Sequence, residues 1–140
     1  MTALQVPSLR IGRPGRLTRR HGWIVPGLAI AIYANALAGQ HGIGLLTVLA
    51  FGIVPHLPVL LGVGQPHEHG QMAARAVPLF NLTHHPVVPL VVLGLASAGI
   101  LSPLWLVGGL VWFSHIVVDL AFGQGLRTGD GWRRSWWAVR

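Results

Sequence analysis

The chain has 140 residues, of which 52% are hydrophobic and only 9% are charged, and its formal net charge is +7. Soluble domains usually carry about 25% charged residues, so this composition excludes an ordinary water-exposed surface and predicts an exterior that faces lipid. The absence of cysteine excludes disulfides, thiolate metal sites and cysteine nucleophiles. Nucleic acid is excluded as a partner because the cationic side chains flank apolar segments and form no soluble basic face.

Four apolar segments follow one another along the chain, over residues 23–39, 42–64, 76–98 and 101–122. About 20 apolar residues are needed to cross a bilayer as a helix, so the first segment is short for a span. The predicted fold class is an all-α bundle of four transmembrane helices. We expect three regions: a basic cytoplasmic tail at 1–21, a four-helix membrane domain at 22–122, and an Arg/Trp-rich juxtamembrane tail at 123–140.

The ten cationic side chains are all arginines, and they occur on alternate connections between the apolar segments. Arg10, Arg13, Arg16, Arg19 and Arg20 precede the first segment, Arg75 lies between the second and third, and Arg127, Arg133, Arg134 and Arg140 follow the fourth. The connections near Gln40 and Ser102 carry no charge. This positive-inside pattern predicts a multi-pass protein of the inner, cytoplasmic membrane with both termini in the cytoplasm and the lipid bilayer as its partner.

Histidines in three different segments fall at similar depths. With a rise of about 1.5 Å per residue, His56 and His84 lie about 12 Å from the inner ends of their segments, His115 about 10 Å and Asp119 about 5 Å. We therefore expect these side chains to meet in the inner half of the bilayer. Prolines next to His56 and His85 predict kinks, which need a polar or wet surrounding for the freed carbonyls. Together these features predict a pocket that opens toward the cytoplasm.

The spacing of the polar residues suggests their roles. His115 and Asp119 are four residues apart and share a helix face, so Asp119 could orient the His115 ring or both could ligate one cation. Asn81 with His84 or His85 forms a second polar stripe, and the sequence does not choose between the two histidines. We assign catalytic roles to His115, Asp119 and His84, and substrate binding to Asn81, His56 and His85. A metal bound by His84, His115 and Asp119 would be zinc, or iron or manganese.

Two charged or aromatic stretches lie outside the segments. The loop 65–71 contains His67, Glu68 and His69, which resembles a metal-binding tract but is interpreted as a short solvated loop. Trp132, Trp136 and Trp137 alternate with arginines after the fourth segment. Aromatic rings beside cations suit the headgroup layer, so we expect this tail to return to the membrane surface.

These motifs resemble a family of small bacterial four-helix integral membrane proteins known as a domain of unknown function, over residues from about 23 to 127. The matching steps are Tyr33-Ala34, Pro55-His56-Leu57, Asn81-Leu82-Thr83-His84, the run from Trp112 through His115-Ile116 to Asp119, and Gly123-Gln124-Gly125-Leu126-Arg127. The resemblance implies that Asn81, His84, His115 and Asp119 form the family's site. His56 stands where the family has an acid, and Leu120 where a basic residue is usual, so the site is altered or His56 replaces the acid as a ligand or base. A shorter similarity, to membrane-bound metal-dependent hydrolases, rests on the His-x-x-x-Asp spacing alone.

Three functions remain open at the level of sequence. The first is an intramembrane enzyme that acts on a lipophilic small molecule by metal-assisted hydrolysis or, without metal, by acid–base isomerisation or cyclisation. The second is an accessory or scaffold subunit of a larger membrane complex, in which the polar cluster only holds helices in register. The third is a proton-linked transporter, which would need a homo-oligomer because four short helices make a thin wall for a pathway.

Overall fold

The structure, a computed structural model, describes residues 21–134. Its elements are helix α1 at Ile24–Gln40, α2 at Leu45–Ile53, a 3₁₀ segment at Val54–Gly62, a 3₁₀ turn at Ala74–Ala76, α3 at Val77–Thr83, α4 at Val87–Ser97 and α5 at Pro103–Ala121. Within the described range the only β-structure is an isolated antiparallel bridge between Arg127 and Arg133. The all-α prediction is therefore confirmed for this range. The basic tail up to residue 20, Trp136, Trp137 and Arg140 lie outside it.

Within residues 21–134, the apolar helical units number four in chain order, and three of them are long and apolar enough to cross a membrane. These three are the second, third and fourth units, Leu45–Gly62, Ala74–Ser97 and Pro103–Ala121, with 18, 24 and 19 residues. The first unit, helix α1, has 17 residues and falls short of them. Large apolar side chains cover the outside of the bundle, and Leu46 and Val63 are 83% and 75% exposed. Burying these side chains in lipid removes their contact with water. The chain is therefore a helical membrane protein.

The second unit changes its winding at Val54, where α2 passes into the 3₁₀ segment. A 3₁₀ helix pairs each carbonyl with the N–H three residues later. The Pro55 carbonyl would therefore need an N–H from residue 58, which is also a proline and has none. The Thr83 hydroxyl supplies the missing donor at 2.9 Å, so a neighbouring unit satisfies the freed carbonyl.

The third unit is interrupted between Thr83 and Val87, where α3 ends and α4 begins. Pro86 has no N–H for the Leu82 carbonyl, which instead accepts a 3.3 Å bond from the amide of His85. The Trp112 indole N–H of α5 donates to the Thr83 carbonyl at 2.7 Å. The break is thus held by side chains of other units, and it places His84 at the end of α3.

Helix α5 forms the centre of the bundle, with α1, α2 and α4 packed against it. Small residues allow these close approaches. A Cβ on Gly108 would lie 2.5 Å from the Phe51 ring, and one on Gly27 would lie 2.6 Å from Val118 Cγ2. The Ser114 hydroxyl donates to the Gly27 carbonyl at 2.8 Å, which adds a polar contact between α1 and α5.

Two segments outside the helices meet at one end of the bundle. The loop before α3 contacts the residues after α5, because the Met72 amide donates to the Gly131 carbonyl at 3.0 Å and the Gln71 side chain donates to the Asp130 carbonyl at 2.6 Å. The residues after α5 form a turned segment in which the Thr128 amide donates to the Trp132 carbonyl at 2.8 Å. We call residues 126–134 the C-terminal hairpin.

Candidate functional site

Four polar side chains from three helical units converge inside the bundle. One nitrogen each of His56, His84 and His115 and a carboxylate oxygen of Asp119 all lie within 4.8 Å of one another. The rings are also close, with centroids 4.5 Å apart for His56 and His115 and 5.1 Å apart for His56 and His84. We call these four residues the His/Asp cluster. His56 comes from the 3₁₀ segment, His84 from the break after α3, and His115 and Asp119 from α5.

The tautomer of His84 follows from its surroundings. Its Nδ1 lies 3.0 Å from the Phe80 carbonyl oxygen, which can only accept a hydrogen bond. Nδ1 therefore carries the hydrogen of the neutral ring, and Nε2 keeps a free lone pair. The Phe80 ring stacks on His84 with centroids 3.8 Å apart, so the imidazole plane is fixed as well. A backbone carbonyl that orients a histidine in this way is the usual arrangement behind a metal-ligating imidazole.

Two distances within the cluster, both from Asp119, match those between ligands of one small cation. Asp119 Oδ2 lies 3.6 Å from His84 Nε2 and 3.4 Å from His115 Nε2. Both nitrogens are buried, and neither has a hydrogen-bond partner among residues 21–134. Ligand atoms bound about 2.1 Å from a tetrahedral zinc ion lie about 3.4 Å from one another. The donor set of three imidazoles and one carboxylate is one that zinc accepts.

The cluster opens into a cavity of about 430 Å³. His56 and Asp119 line its inner part, and His56 is the most exposed member of the cluster. A second cavity of about 90 Å³ reaches His84 and Asp119 from the side of Leu120. Asp119 therefore borders both cavities, and its carboxylate is accessible to a small molecule in either one.

The larger cavity is lined by both polar and apolar side chains. Its polar lining comprises His67, Gln71, Gln124, Arg127 and Arg133. Its apolar lining includes Val59, Val63, Met72, Ala73 and Phe80. The loop before α3 contributes Gln71 and Met72 to this lining, and the C-terminal hairpin contributes Arg127 and Arg133.

The six residues singled out from the sequence take different positions. His56, His84, His115 and Asp119 form the cluster, and the choice between His84 and His85 falls on His84, which is 5% exposed. His85 is exposed and its Nδ1 accepts a 3.4 Å contact from the Val87 amide. Its expected substrate-binding role stays a prediction.

Asn81 is occupied with the main chain of Arg127. Its amide donates to the Arg127 carbonyl at 2.9 Å, and its carbonyl oxygen accepts from the Arg127 amide at 2.7 Å. These two hydrogen bonds anchor the C-terminal hairpin to α3. The structure thus gives Asn81 a positioning task, and its substrate-binding role also stays a prediction.

Sequence reasoning did not identify three of the residues that line the larger cavity. The charge pattern and the family motif give Arg127 and Arg133 no place in the site, and the loop of His67 is predicted to be solvated, whereas all three residues line the cavity. The signal that points to Arg127 is its fixed place at the end of Gly123-Gln124-Gly125-Leu126-Arg127, directly after the helix that carries Asp119. No comparable signal exists for Arg133, because only the folded hairpin brings it opposite Arg127.

Comparison with other proteins adds a family but no activity. Neither the curated proteins nor the solved structures include a significant match to the chain. The family model described as a domain of unknown function, DUF4260, matches residues 24–136 and so covers the helices, the cluster and the C-terminal hairpin. The resemblance inferred from the motifs is thereby confirmed, and the chain belongs to the DUF4260 family.

Proposed function

We propose that this protein is an inner-membrane enzyme that binds a divalent metal ion, zinc in the first place, and hydrolyses a lipophilic substrate in its cavity. One observation carries the proposal: in the described part of the chain, the buried Nε2 atoms of His84 and His115 have no hydrogen-bond partner, and they face the same Asp119 oxygen at 3.6 and 3.4 Å. Leaving buried polar atoms unsatisfied costs about 1–3 kcal/mol each. A cation between the three side chains removes that cost.

Each cluster residue has a role in this proposal. His84, His115 and Asp119 would hold the metal, which would supply Lewis-acid activation of a water when bound. His56 lines the cavity, where it would serve as the base or as a fourth ligand. As the base, His56 would take a proton from the attacking water and return it to the leaving group when the bond between that group and the substrate breaks.

A metal-free enzyme is the second candidate. The 3.4 Å contact between His115 and Asp119 is also the geometry of an acid–base pair, which would suit isomerisation or cyclisation by proton transfer. A purely structural cluster in a scaffold subunit is less well supported. Side chains that only hold helices together are expected to satisfy one another, whereas His84 Nε2 and His115 Nε2 have no partner.

The arginines support an orientation. Arg75, Arg127, Arg133 and Arg134 all belong to connections at the end of the bundle where the cavity opens. The positive-inside rule places that end in the cytoplasm, so we propose four spans with both termini inside and a cavity that is open to the cytoplasmic leaflet. A transporter would need a second copy or a larger assembly, because one chain offers no thick wall around a pathway.

Elemental analysis tests the metal directly. The full chain is purified without a histidine tag in mild detergent, and its metal content is compared with that of His84→Ala and Asp119→Ala. His85→Ala is the matched control, since His85 is adjacent to His84 in sequence but exposed and outside the cluster. We expect about one zinc, iron or manganese ion per chain in the wild type and the control, and almost none in the cluster variants.

The opposite results are equally informative. A wild-type protein that remains metal-free after dialysis against zinc contradicts metal-assisted hydrolysis. The melting temperature of His84→Ala in the same detergent then separates the remaining functions, because a scaffold cluster predicts a marked loss of stability and an acid–base pair does not. Equal metal content in His84→Ala and His85→Ala would place any bound metal outside the cluster.

A further inference from the structure

Two arginines share the cavity with the His/Asp cluster. Arg127 and Arg133 line the space of about 430 Å³ that His56 and Asp119 also border. They are the two partners of the antiparallel bridge, so their side chains start from directly opposite positions of the C-terminal hairpin. Like charges at opposite positions destabilise such a pair. Their placement therefore needs a compensating interaction.

Within residues 21–134, Arg127 has no carboxylate partner that would provide this interaction. The close carboxylate contacts in this range join Asp119 to His84 and His115 and include neither arginine. Arg127 Nη2 lies 3.4 Å from Gln124 Oε1, its Nε is buried without an acceptor, and its guanidinium lies 5.7 Å from the Phe80 ring centroid. Burial, followed by the charge of Arg133, lowers the pKa of the Arg127 guanidinium, while Asp119 raises it. An anion at this point would satisfy the buried donor and balance both guanidinium groups.

Other contacts hold the pair of arginines at the cavity. Asn81 binds both main-chain groups of Arg127, at 2.9 and 2.7 Å. Gln71 fixes the far end of the hairpin through the carbonyl of Asp130. Side-chain bonds that bind a surface segment at two points restrict its motion. The two guanidinium groups are therefore presented to the cavity by a fixed segment.

The cavity also has an apolar lining that is well exposed. Val59 and Val63 line the cavity and are 45% and 75% exposed. Phe80 and Met72 add to the apolar lining. A ligand here meets both cations and exposed apolar side chains, which is the combination that an amphiphile requires.

We infer that the cavity binds an amphiphile that carries a phosphate group, with the phosphate between Arg127 and Arg133 and the apolar chain directed past Val59 and Val63 into the bilayer. Guanidinium forks pair with phosphate through two parallel hydrogen bonds. A phosphate monoester carries nearly two negative charges, so two arginines match it. Binding of this ligand depends only on the two arginines and the apolar lining. That the ligand is also hydrolysed rests on the proposed function.

Native mass spectrometry of the full chain in mild detergent provides the test. The dissociation constant is measured for phosphatidic acid, for phosphatidylcholine as the zwitterionic control, and for inorganic phosphate as the soluble source of the same group. The variants are Arg127→Gln, Arg133→Gln and Arg134→Gln. Arg134 is the matched control because it follows Arg133 directly but does not line the cavity.

We expect the dissociation constant for phosphatidic acid to rise about tenfold or more in Arg127→Gln and Arg133→Gln. It should equal the wild-type value in Arg134→Gln. Equal losses in all three variants overturn the inference, since they would show only general attraction of a basic surface. Equal affinity for phosphatidylcholine, or for inorganic phosphate, also overturns it. If Arg127→Gln does not fold, the exposed Arg133 decides the question alone.

The His115→Ala variant separates this inference from the proposed function. Arginine-dependent binding of phosphatidic acid to a wild-type protein without metal supports the ligand class and contradicts only the metal-assisted hydrolysis. Stoichiometric metal together with arginine-independent lipid binding contradicts only the ligand class. Retention of phosphatidic acid binding in His115→Ala, with the metal lost, shows that the two sites act separately.

Discussion

Phe80 connects the two halves of the site at the scale of a single residue. Its carbonyl oxygen fixes the His84 tautomer, its ring stacks on the same imidazole at 3.8 Å, and the Arg127 guanidinium lies 5.7 Å from the ring centroid. A cation near an aromatic ring is stabilised by the ring's electron distribution. The position of Arg127 and the orientation of His84 therefore depend on one side chain.

The His84 tautomer leads to a prediction for nuclear magnetic resonance. In protein with ¹⁵N-labelled histidine and no metal, we expect a protonated Nδ1 and an unprotonated Nε2 for His84, because the Phe80 carbonyl can only accept. Addition of zinc should shift the Nε2 resonances of His84 and His115. His85 serves as the internal control and should not shift. A protonated Nε2 on His84, or a shift confined to His85, would contradict the geometry of the cluster.

The sequence predicts which residues of the site lie at a similar depth along the helices, but not how their side chains are oriented. Matching distances from the segment ends predict that His56, His84 and His115 lie at one level, because the rise per residue is fixed. The spacing of four residues adds Asp119 to the same helix face as His115. Rotation about the helix axis is not fixed by sequence, so the choice between His84 and His85 had to come from the structure. The pairing of Asn81 with Arg127 spans 46 positions and depends on the folded hairpin.

At the scale of elements, glycines in α5 determine how closely its neighbours approach. Gly108→Ala should destabilise the protein by about 1–3 kcal/mol, because the new Cβ would lie 2.5 Å from the Phe51 ring and force it aside. Gly94→Ala is the matched control, since nothing lies within 4 Å of its Cβ position and alanine favours a helix by up to about 1 kcal/mol. Thermal unfolding in detergent measures both. Equal melting temperatures for the two variants would contradict the packing described.

The C-terminal hairpin gives a second prediction at this scale. Gly131 has a φ of +92°, and a Cβ there would overlap the Met72 carbonyl, so Gly131→Ala should detach the hairpin from the loop before α3. We expect faster trypsin cleavage after Arg127 and Arg133. Gly129→Ala is the control, because its Cβ position is open. Cleavage of both variants at the wild-type rate would show that this contact does not hold the hairpin to the loop.

Apolar length predicted the helical units, but their internal breaks followed from contacts between units. The prolines indicated disturbed winding near residues 55 and 86, as the structure has it. The extension of the 3₁₀ winding through Gly62 was not predictable, since it depends on a donor from Thr83 in another unit. The same holds for the end of α3, whose Thr83 carbonyl is satisfied by Trp112.

At the scale of the whole molecule, the absence of cysteine makes the topology directly measurable. Ser102→Cys lies in the uncharged connection before α5, and Gly129→Cys lies in the hairpin at the arginine-rich end. In intact spheroplasts a membrane-impermeant maleimide should label Ser102→Cys only, and Gly129→Cys should react only after the membrane is opened. The wild-type chain gives no label and is the control. The reverse pattern would invert the proposed orientation.

The 3₁₀ winding at Val54–Gly62 also sets the thickness of bilayer that the protein requires. A 3₁₀ helix rises about 2.0 Å per residue and an α-helix about 1.5 Å, so the 18-residue unit Leu45–Gly62 reaches about 31 Å, close to a hydrocarbon core of about 30 Å. The 17 residues of α1 reach only about 26 Å. The bilayer is therefore expected to be thinner beside α1 than beside the second unit. Lipids with short chains would gather on that side, and the protein would favour thin membranes over thick ones.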